Sequence, residues 1–473
     1  MRMLFTIFIF VSSFLNGFSQ ASKKFIGSWE GKMDVGVQLR LVIHIITKGP
    51  DSVSSTLDSP DQNVFGIAAY KTTVEGVTLY FEIKSSGASF TGNLENDSTI
   101  GGTFTQGGNV PLKLIKTDNP SGPLKRPQTP LPPYPYKSEA IEYDNADKTV
   151  HFGATFTYPN TGGQFVTTIL ITGSGQQDRD ETILLHKPFA VIADYLTKKG
   201  FAVLRVDDRG KGKTTGEVMK ATSMDFSDDV ITSMDYLKTR KETDKNKIGL
   251  IGHSEGGLIA SIVLTKRKDI AFIISLAGAG MKGADILSDQ GELIMVKEGI
   301  DSMTAKSYKK LYKKIINYSL TIADSLESFN KTWQEYAQWK KSMKPASLQQ
   351  LGFTNDTAAK KIFRSLLAEL YLPWMQFFNN SDASLNYEKA YCPVLALNGS
   401  EDIQVPPAKD LEGIRSALKK SKSGNYEIKE LPGLNHLFQH CKKCGLSEYG
   451  ELEETFAPEA LQVMGDWLKD NIK

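Results

Sequence analysis

The sequence predicts an antiparallel all-β domain, a barrel or a sandwich, followed by a larger α/β domain built on a parallel sheet and interrupted by a helical insertion. Three observations carry this. From residue 21 to about 117, apolar and polar residues alternate in period two. From Lys137 onwards, apolar β-branched runs alternate with helical periods. Between two of those runs lie about 110 residues with no convincing strand, too long for a structureless loop.

The 473 residues, 40% hydrophobic and 23% charged, suffice for two or three domains with cores of their own. Three cysteines cannot support a disulfide-stapled scaffold, and a net charge of +2 with both signs interspersed excludes a field that would hold a nucleic-acid backbone. The expected partner is a small molecule. The first twenty residues, MRMLFTIFIFVSSFLNGFSQ, pair a basic start at Arg2 with an apolar stretch too short to span a bilayer and small residues at Gly17 and Ser19. They read as a signal peptide cut after Ser19, so an exported protein, periplasmic or secreted, is expected. No cysteine lies near the cut to carry a lipid, and no later run is long enough to span a membrane.

QLRLVIHII, VTLYFEIK and STIGGTFTQ are the alternating runs of the β-domain, with Gly, Asn, Asp and Pro between them. In the stretch 118–136, seven prolines preclude helix and make a stiff, extended linker. FVTTILITG (165–173), FAVLRVD (201–207), KIGLIGHS (247–254), FIISLAG (272–278), PVLALNG (393–399) and YEIKELPG (426–433) then read as strands of a sheet covered on both faces. The chain thus divides into a signal peptide (1–19), an all-β domain (20–117), a linker (118–136) and a catalytic domain (137–473) with a helical cap insertion at 279–388.

Gly252-His253-Ser254-Glu255-Gly256 follows a strand and opens a helix-compatible run. This is G-x-S-x-G in its strand-turn-helix setting, where glycines allow the tight turn that lifts a serine hydroxyl above the sheet edge. Ser254 is the expected nucleophile. In this order of elements the base follows the last strand, which singles out His436 in LPGLNHLF over His440, one turn further on and expected at the surface. The orienting acid belongs after the preceding strand, where Asp402 of GSED is favoured and Glu401 is the fallback. Donors for the oxyanion are expected from the backbone N–H of Glu255 and from the GSG turn after the first parallel strand, at Ser174 or Gly175.

Taken together, GSGQQDRDE (173–181), RVDDRGKGKTTG (205–216), GHSEGG (252–257), LNGSEDIQVPP (397–407) and LPGLNHLFQ (431–439) resemble the α/β-hydrolase superfamily. More narrowly, the chain is similar to two-domain exported bacterial esterases of the EstD type, near the prolyl-oligopeptidase clan. The resemblance implies a Ser254, Asp402, His436 triad, cofactor-free hydrolysis and a helical cap. Thr172 stands where His or Ser is common, and Gln176-Gln177 replaces a frequent Pro-Gln, so the second oxyanion donor is the least defined part.

Tyr308, Tyr312, Tyr318, Trp333, Tyr336, Trp339, Tyr371, Trp374, Phe377 and Phe378 are expected mainly as cap core, with an aromatic acyl pocket above Ser254 as the functional alternative. Lysines 306, 309, 310, 313 and 314 read as a solvated helix face. His440, Cys441 and Cys444 with His436 are too cramped for zinc, so no metal is expected; Cys441 and Cys444 are either bridged or free, and Cys392 is a buried thiol. The leading function is hydrolysis of carboxylic esters with small or medium acyl groups. The rivals are a peptidase with the same triad, for which Glu335 or Glu369 would hold the substrate amine, and a glycan- or lipid-binding protein with secondary hydrolase activity.

Overall fold

A computed structural model describes residues 22–35, 38–49 and 52–472. The expected signal peptide lies outside the described residues. The chain forms two compact units, dividing between Lys125 and Arg126, within the proline-rich stretch.

The first unit is one antiparallel sheet of nine strands: β1 (Gly27–Asp34), β2 (Gln38–Gly49), β3 (Ser52–Ser59), β4 (Val64–Ala68), β5 (Lys71–Glu75), β6 (Thr78–Ile83), β7 (Ala88–Asn96), β8 (Thr99–Thr105) and β9 (Asn109–Thr117). Their order is β4-β3-β2-β1-β9-β8-β7-β6-β5. Alternation buries every second residue of β3 and β6, and the inward set, including Trp29, Ile43, Leu79, Phe81, Phe90 and Phe104, forms the core. The sheet curls until Ser55 on β3 and Thr72 on β5 share a hydroxyl hydrogen bond of 2.8 Å. A single curled sheet resolves the barrel-or-sandwich alternative toward the barrel.

The second unit holds a sheet in the order β10-β11-β13-β12-β14-β15-β16-β17. Its strands are β10 (Tyr136–Asp144), β11 (His151–Pro159), β12 (Phe165–Ile171), β13 (Ala202–Val206), β14 (Thr243–His253), β15 (Ile273–Leu276), β16 (Val394–Gly399) and β17 (Tyr426–Leu431). From β13 to β17 the neighbours are parallel, whereas β10 and β11 add an antiparallel edge. The inner strands β15 and β16 are buried throughout because helices cover both faces. Helices α1 (Pro188–Lys198) and α12 (Pro458–Asn471) pack on one face through Phe189, Leu196, Met464 and Trp467. Helices α2 (Ser223–Leu237), α3 (Glu255–Lys266) and α11 (Pro407–Lys420) cover the other through Met234, Leu258, Val263 and Ile414. This is the α/β-hydrolase fold that the resemblance implies.

Between β15 and β16 the described chain is helical: α4 (Gly283–Lys297), α5 (Ser302–Thr321), α6 (Ser325–Lys341), α7 (Pro345–Gln350), α8 (Asp356–Leu370), α9 (Pro373–Asn380) and α10 (Ala383–Tyr387). Asp301, Asp324, Asn355 and Asp382 cap α5, α6, α8 and α10 by accepting a backbone N–H of the first turn. The segment has its own core of Leu311, Ile315, Tyr336, Phe353, Phe363 and Leu370, and most of its aromatic residues pack there. Lys306, Lys310, Lys313 and Lys314 are exposed, as a solvated face requires, and only Lys309 is half-buried. Lys309 pairs with Asp289 and Glu292, Lys313 with Asp285 and Lys314 with Glu335, because α4 and α6 present carboxylates to α5.

Candidate active site

The parallel strands deliver their loops to one edge of the sheet, and the predicted residues lie on four of those loops, after β12, β14, β16 and β17. Strand β14 ends at His253 and α3 starts at Glu255, so Ser254 alone makes the turn, with φ at +54°. That left-handed conformation is unfavourable for a non-glycine residue and is imposed by packing. A Cβ on Gly256 would stand 2.1 Å from Ile171 O, and one on Gly252 would stand 2.1 Å from Gly256 O. Only glycine lets the elbow close against β12. The Ser254 N–H donates to Leu276 O at 2.8 Å, tying the turn to β15.

Asp402 follows β16 and is 2% exposed. Its Oδ1 accepts the N–H groups of Gln404 at 2.7 Å and Val405 at 2.9 Å, leaving Oδ2 to accept His436 Nδ1–H at 2.7 Å. Glu401 instead faces Lys297 at 3.6 Å, half-exposed, and among the described residues no hydrogen bond or ion pair joins it to the histidine. His436 is buried in the loop after β17, where Asn435 Oδ1 accepts the N–H groups of Leu437 and Gln439, both at 3.0 Å. His440 is a surface residue paired with Glu454 and Glu459. Among the described residues no hydrogen bond joins Ser254 Oγ to His436 Nε2. Such bonds tighten in the substrate complex.

The GSG turn lies beside the serine: a Cβ on Gly173 would come within 3.1 Å of Ser254 Cβ. The Gly173 N–H already donates to Glu181 Oε1 at 2.7 Å, whereas Ser174 and Gly175 are exposed. Thr172 Oγ1 and the Gln177 N–H donate to the two carboxylate oxygens of Asp208, each at 2.7 Å, which fixes the loop from behind. Burial pushes the Asp208 carboxyl up to about 7.

The family model described as serine aminopeptidase, S33, matches residues 187–440, more than half of the chain. The chain belongs to this family. Esterase EstD of Thermotoga maritima is 28% identical over 149 residues, 31% of this chain and 35% of that protein. The match therefore spans about a third of the length of that curated relative. Among solved structures, the Pyrococcus furiosus esterase Pf2001 covers 72% of this chain and 92% of its own at 15% identity and a TM-score of 0.42. Est1E from Butyrivibrio proteoclasticus, solved with ferulic acid bound, covers 70% of this chain and 99% of its own at 17% identity and a TM-score of 0.40.

In this S33-family chain two buried groups beside the serine escaped the sequence reading. The Glu255 side chain turns inward, where Oε1 accepts Ser223 Oγ–H at 2.6 Å and Trp374 Nε1–H at 2.7 Å. Burial pushes its carboxyl up. Trp374 lies on α9, so this bond ties the helical segment to the elbow. Glu181, 1% exposed, accepts from His253 as well as from Gly173. Cys441 and Cys444 are joined in a disulfide, and Glu448 accepts the N–H groups of Lys442, Lys443 and Cys444 around it, so this cluster is occupied by its own bonds. Cys392 is buried, and its thiol is pushed up to about 12. In the β-domain, Ser28, His44 and Asp58 form a cross-strand hydrogen-bond chain. It lies within paired strands that offer no helix N-terminus for an oxyanion.

Proposed function

We propose that this S33-family protein hydrolyses carboxylic esters with small or medium acyl groups through an acyl-enzyme on Ser254. The observation that carries the reading is the buried 2.7 Å bond between His436 Nδ1 and Asp402 Oδ2, reached in chain order after a serine at a strained strand-to-helix elbow. With its proton held at Nδ1, the imidazole presents Nε2 as the base. Ser254 Oγ attacks the ester carbonyl as its proton passes to His436 Nε2. The oxyanion accepts the Glu255 N–H and a second N–H from Ser174 or Gly175. Collapse expels the alcohol, which takes the proton from Nε2, and water repeats the sequence to release the acid.

The description of the family model favours a second reading, an aminopeptidase using the same triad. It requires a free carboxylate for the substrate ammonium. Glu335 already serves Lys314 at 2.8 Å and Tyr318 at 3.0 Å, and Glu369 lies on the exposed face of α8. These occupied or outward carboxylates support the ester. Rates on p-nitrophenyl esters of increasing chain length and on aminoacyl p-nitroanilides decide between the readings. Ester hydrolysis should dominate and vanish in Ser254→Ala. Faster amide cleavage overturns the ester reading, and activity retained by a folded Ser254→Ala overturns the triad.

We further assign 1–19 as an export signal, 20–117 as an accessory β-domain, 118–136 as the connector and 137–473 as the catalytic domain, with 279–388 as its cap. The Cys441–Cys444 disulfide supports an oxidising compartment. The aromatic filling of the β-domain leaves its outer surface for any glycan or lipid, and removing 20–136 tests whether activity needs it.

A further inference from the structure

His253 lies inside the elbow, with its side chain 6% exposed. Its Nδ1 is 2.9 Å from Glu181 Oε1, and its Nε2 is 3.0 Å from the main-chain oxygen of His436. A neutral imidazole has one N–H and one lone pair. The carbonyl of His436 can only accept, so Nε2 carries a proton. An ionised Glu181 can only accept, and its Oε1 already takes the Gly173 N–H at 2.7 Å, so beside that carboxylate Nδ1 carries the other proton; Glu181 Oε2 is buried with no hydrogen-bond partner among the described residues. The surroundings are apolar: Pro188, Phe189, Ile192, Leu276, Leu437 and Phe456. Charges in such a shell persist only in pairs. Glu181 also holds φ at +52°, an unfavourable backbone conformation retained where it aims this carboxylate.

We propose that Glu181 and His253 form a permanent buried carboxylate–imidazolium pair whose role is to position the hydrolytic site. The pair bonds the oxyanion loop through the Gly173 N–H, the elbow through residue 253 and the base loop through the His436 carbonyl. These are the three loops that must keep register during acyl transfer, so the proposal rests on the ester-hydrolase reading above. Glu181 and His253 are positioning residues: neither is placed to touch substrate. The other titratable groups around the pair are His436, whose ring centre lies 4.9 Å from that of His253, Asp402 behind it and Asp208 on the Glu181 side. Burial favours a neutral His253, but Glu181, assisted by Asp402, outweighs it and raises the imidazole above its ordinary value.

Loss of the Glu181 charge removes the counter-ion of His253 and weakens the acceptor of the Gly173 N–H. Because Gly173 immediately precedes Ser174 and Gly175, the disturbance reaches the second oxyanion donor, which acts mainly on the transition state. Activity should therefore fall in kcat with KM little changed.

The test is ring 15N–1H correlation spectroscopy on histidine-labelled full-length protein, with His253 assigned by its loss in His253→Gln. Both ring nitrogens should carry protons at pH 7, in the wild type and equally in Ser254→Ala. In Glu181→Gln the Nδ1 proton should disappear, and kcat on the best ester should fall about a hundredfold with KM within about twofold. A singly protonated His253 at pH 7 in the wild type overturns the proposal, as does a folded Glu181→Gln with kcat within about twofold. The wild-type spectroscopic result needs no turnover, and only its assignment needs His253→Gln to fold. Absence of ester hydrolysis with a doubly protonated His253 would overturn the substrate reading alone, whereas a neutral His253 in an active esterase overturns the ion pair alone.

Discussion

Asp402→Asn removes one charge from the site and almost no volume. In the native site one carboxylate oxygen accepts two backbone N–H groups, from Gln404 and Val405, and the other accepts His436 Nδ1–H at 2.7 Å. Asparagine has one accepting oxygen, and the two fixed backbone donors claim it. Its NH₂ then faces Nδ1, which must become an acceptor, so the imidazole proton moves to Nε2. Ser254 would meet an N–H where it needs a base. The same exchange in a serine-protease triad costs about 10⁴-fold in kcat, equivalent to about 5 kcal/mol of barrier. Glu401→Gln, by contrast, removes only a half-exposed pair with Lys297 and should change kcat by less than about twofold. Steady-state hydrolysis of the best p-nitrophenyl ester by both variants, with circular dichroism as the control for folding, measures the difference. Activity of Asp402→Asn within tenfold of wild type would refute the orientation argument, and a large loss in Glu401→Gln would move the acid to residue 401.

Three further outcomes follow from other contacts. Trp374→Phe removes a charge-assisted bond to buried Glu255 and should lower unfolding free energy by about 1.5–3 kcal/mol in urea titrations; a change below about 0.5 kcal/mol would show that this bond does not secure the helical segment. Replacing both Cys441 and Cys444 with Ser opens a loop of sequence separation 3 and should cost about 2 kcal/mol by chain entropy, whereas a cost above about 4 kcal/mol would require a native-state role for the bridge. Asp208 titrates at about 7 in the fold, so the folded state binds the extra proton and stability declines as pH rises from about 4 to 7. Asp208→Asn should remove that decline, at most about 4 kcal/mol, and an unchanged slope of stability against pH would contradict it.

Chemistry encoded locally was legible in the sequence. The elbow could be read because its glycines, serine and flanking strand are contiguous, and the parallel strands because burial on both faces leaves uninterrupted apolar runs. Chain order narrows the base to His436 and His440, and the place of His436 just after the last strand selects it. The β10–β11 edge was not read as strands, since β10 buries only Tyr136 and Tyr143 and its YKSEAIEYD looks like a solvated segment. The lysines of α5 form the solvated face that their spacing suggests, but their partners sit on α4 and α6, which only tertiary packing brings together. Glu181 was hidden for the same reason: its partner His253 is 72 residues away, and within DRDE it looks like any loop carboxylate. Glu255 was read for its backbone N–H, and its side chain had no sequence partner to reveal Trp374, 119 residues on.

The central claim is that Ser254 is the nucleophile. Its most direct test is to react the protein with a fluorophosphonate and locate the adduct by tandem mass spectrometry. One adduct per chain on Ser254, abolished in folded Ser254→Ala and strongly slowed in His436→Gln, is the predicted result. Labelling at another serine, or labelling that survives Ser254→Ala, would contradict it.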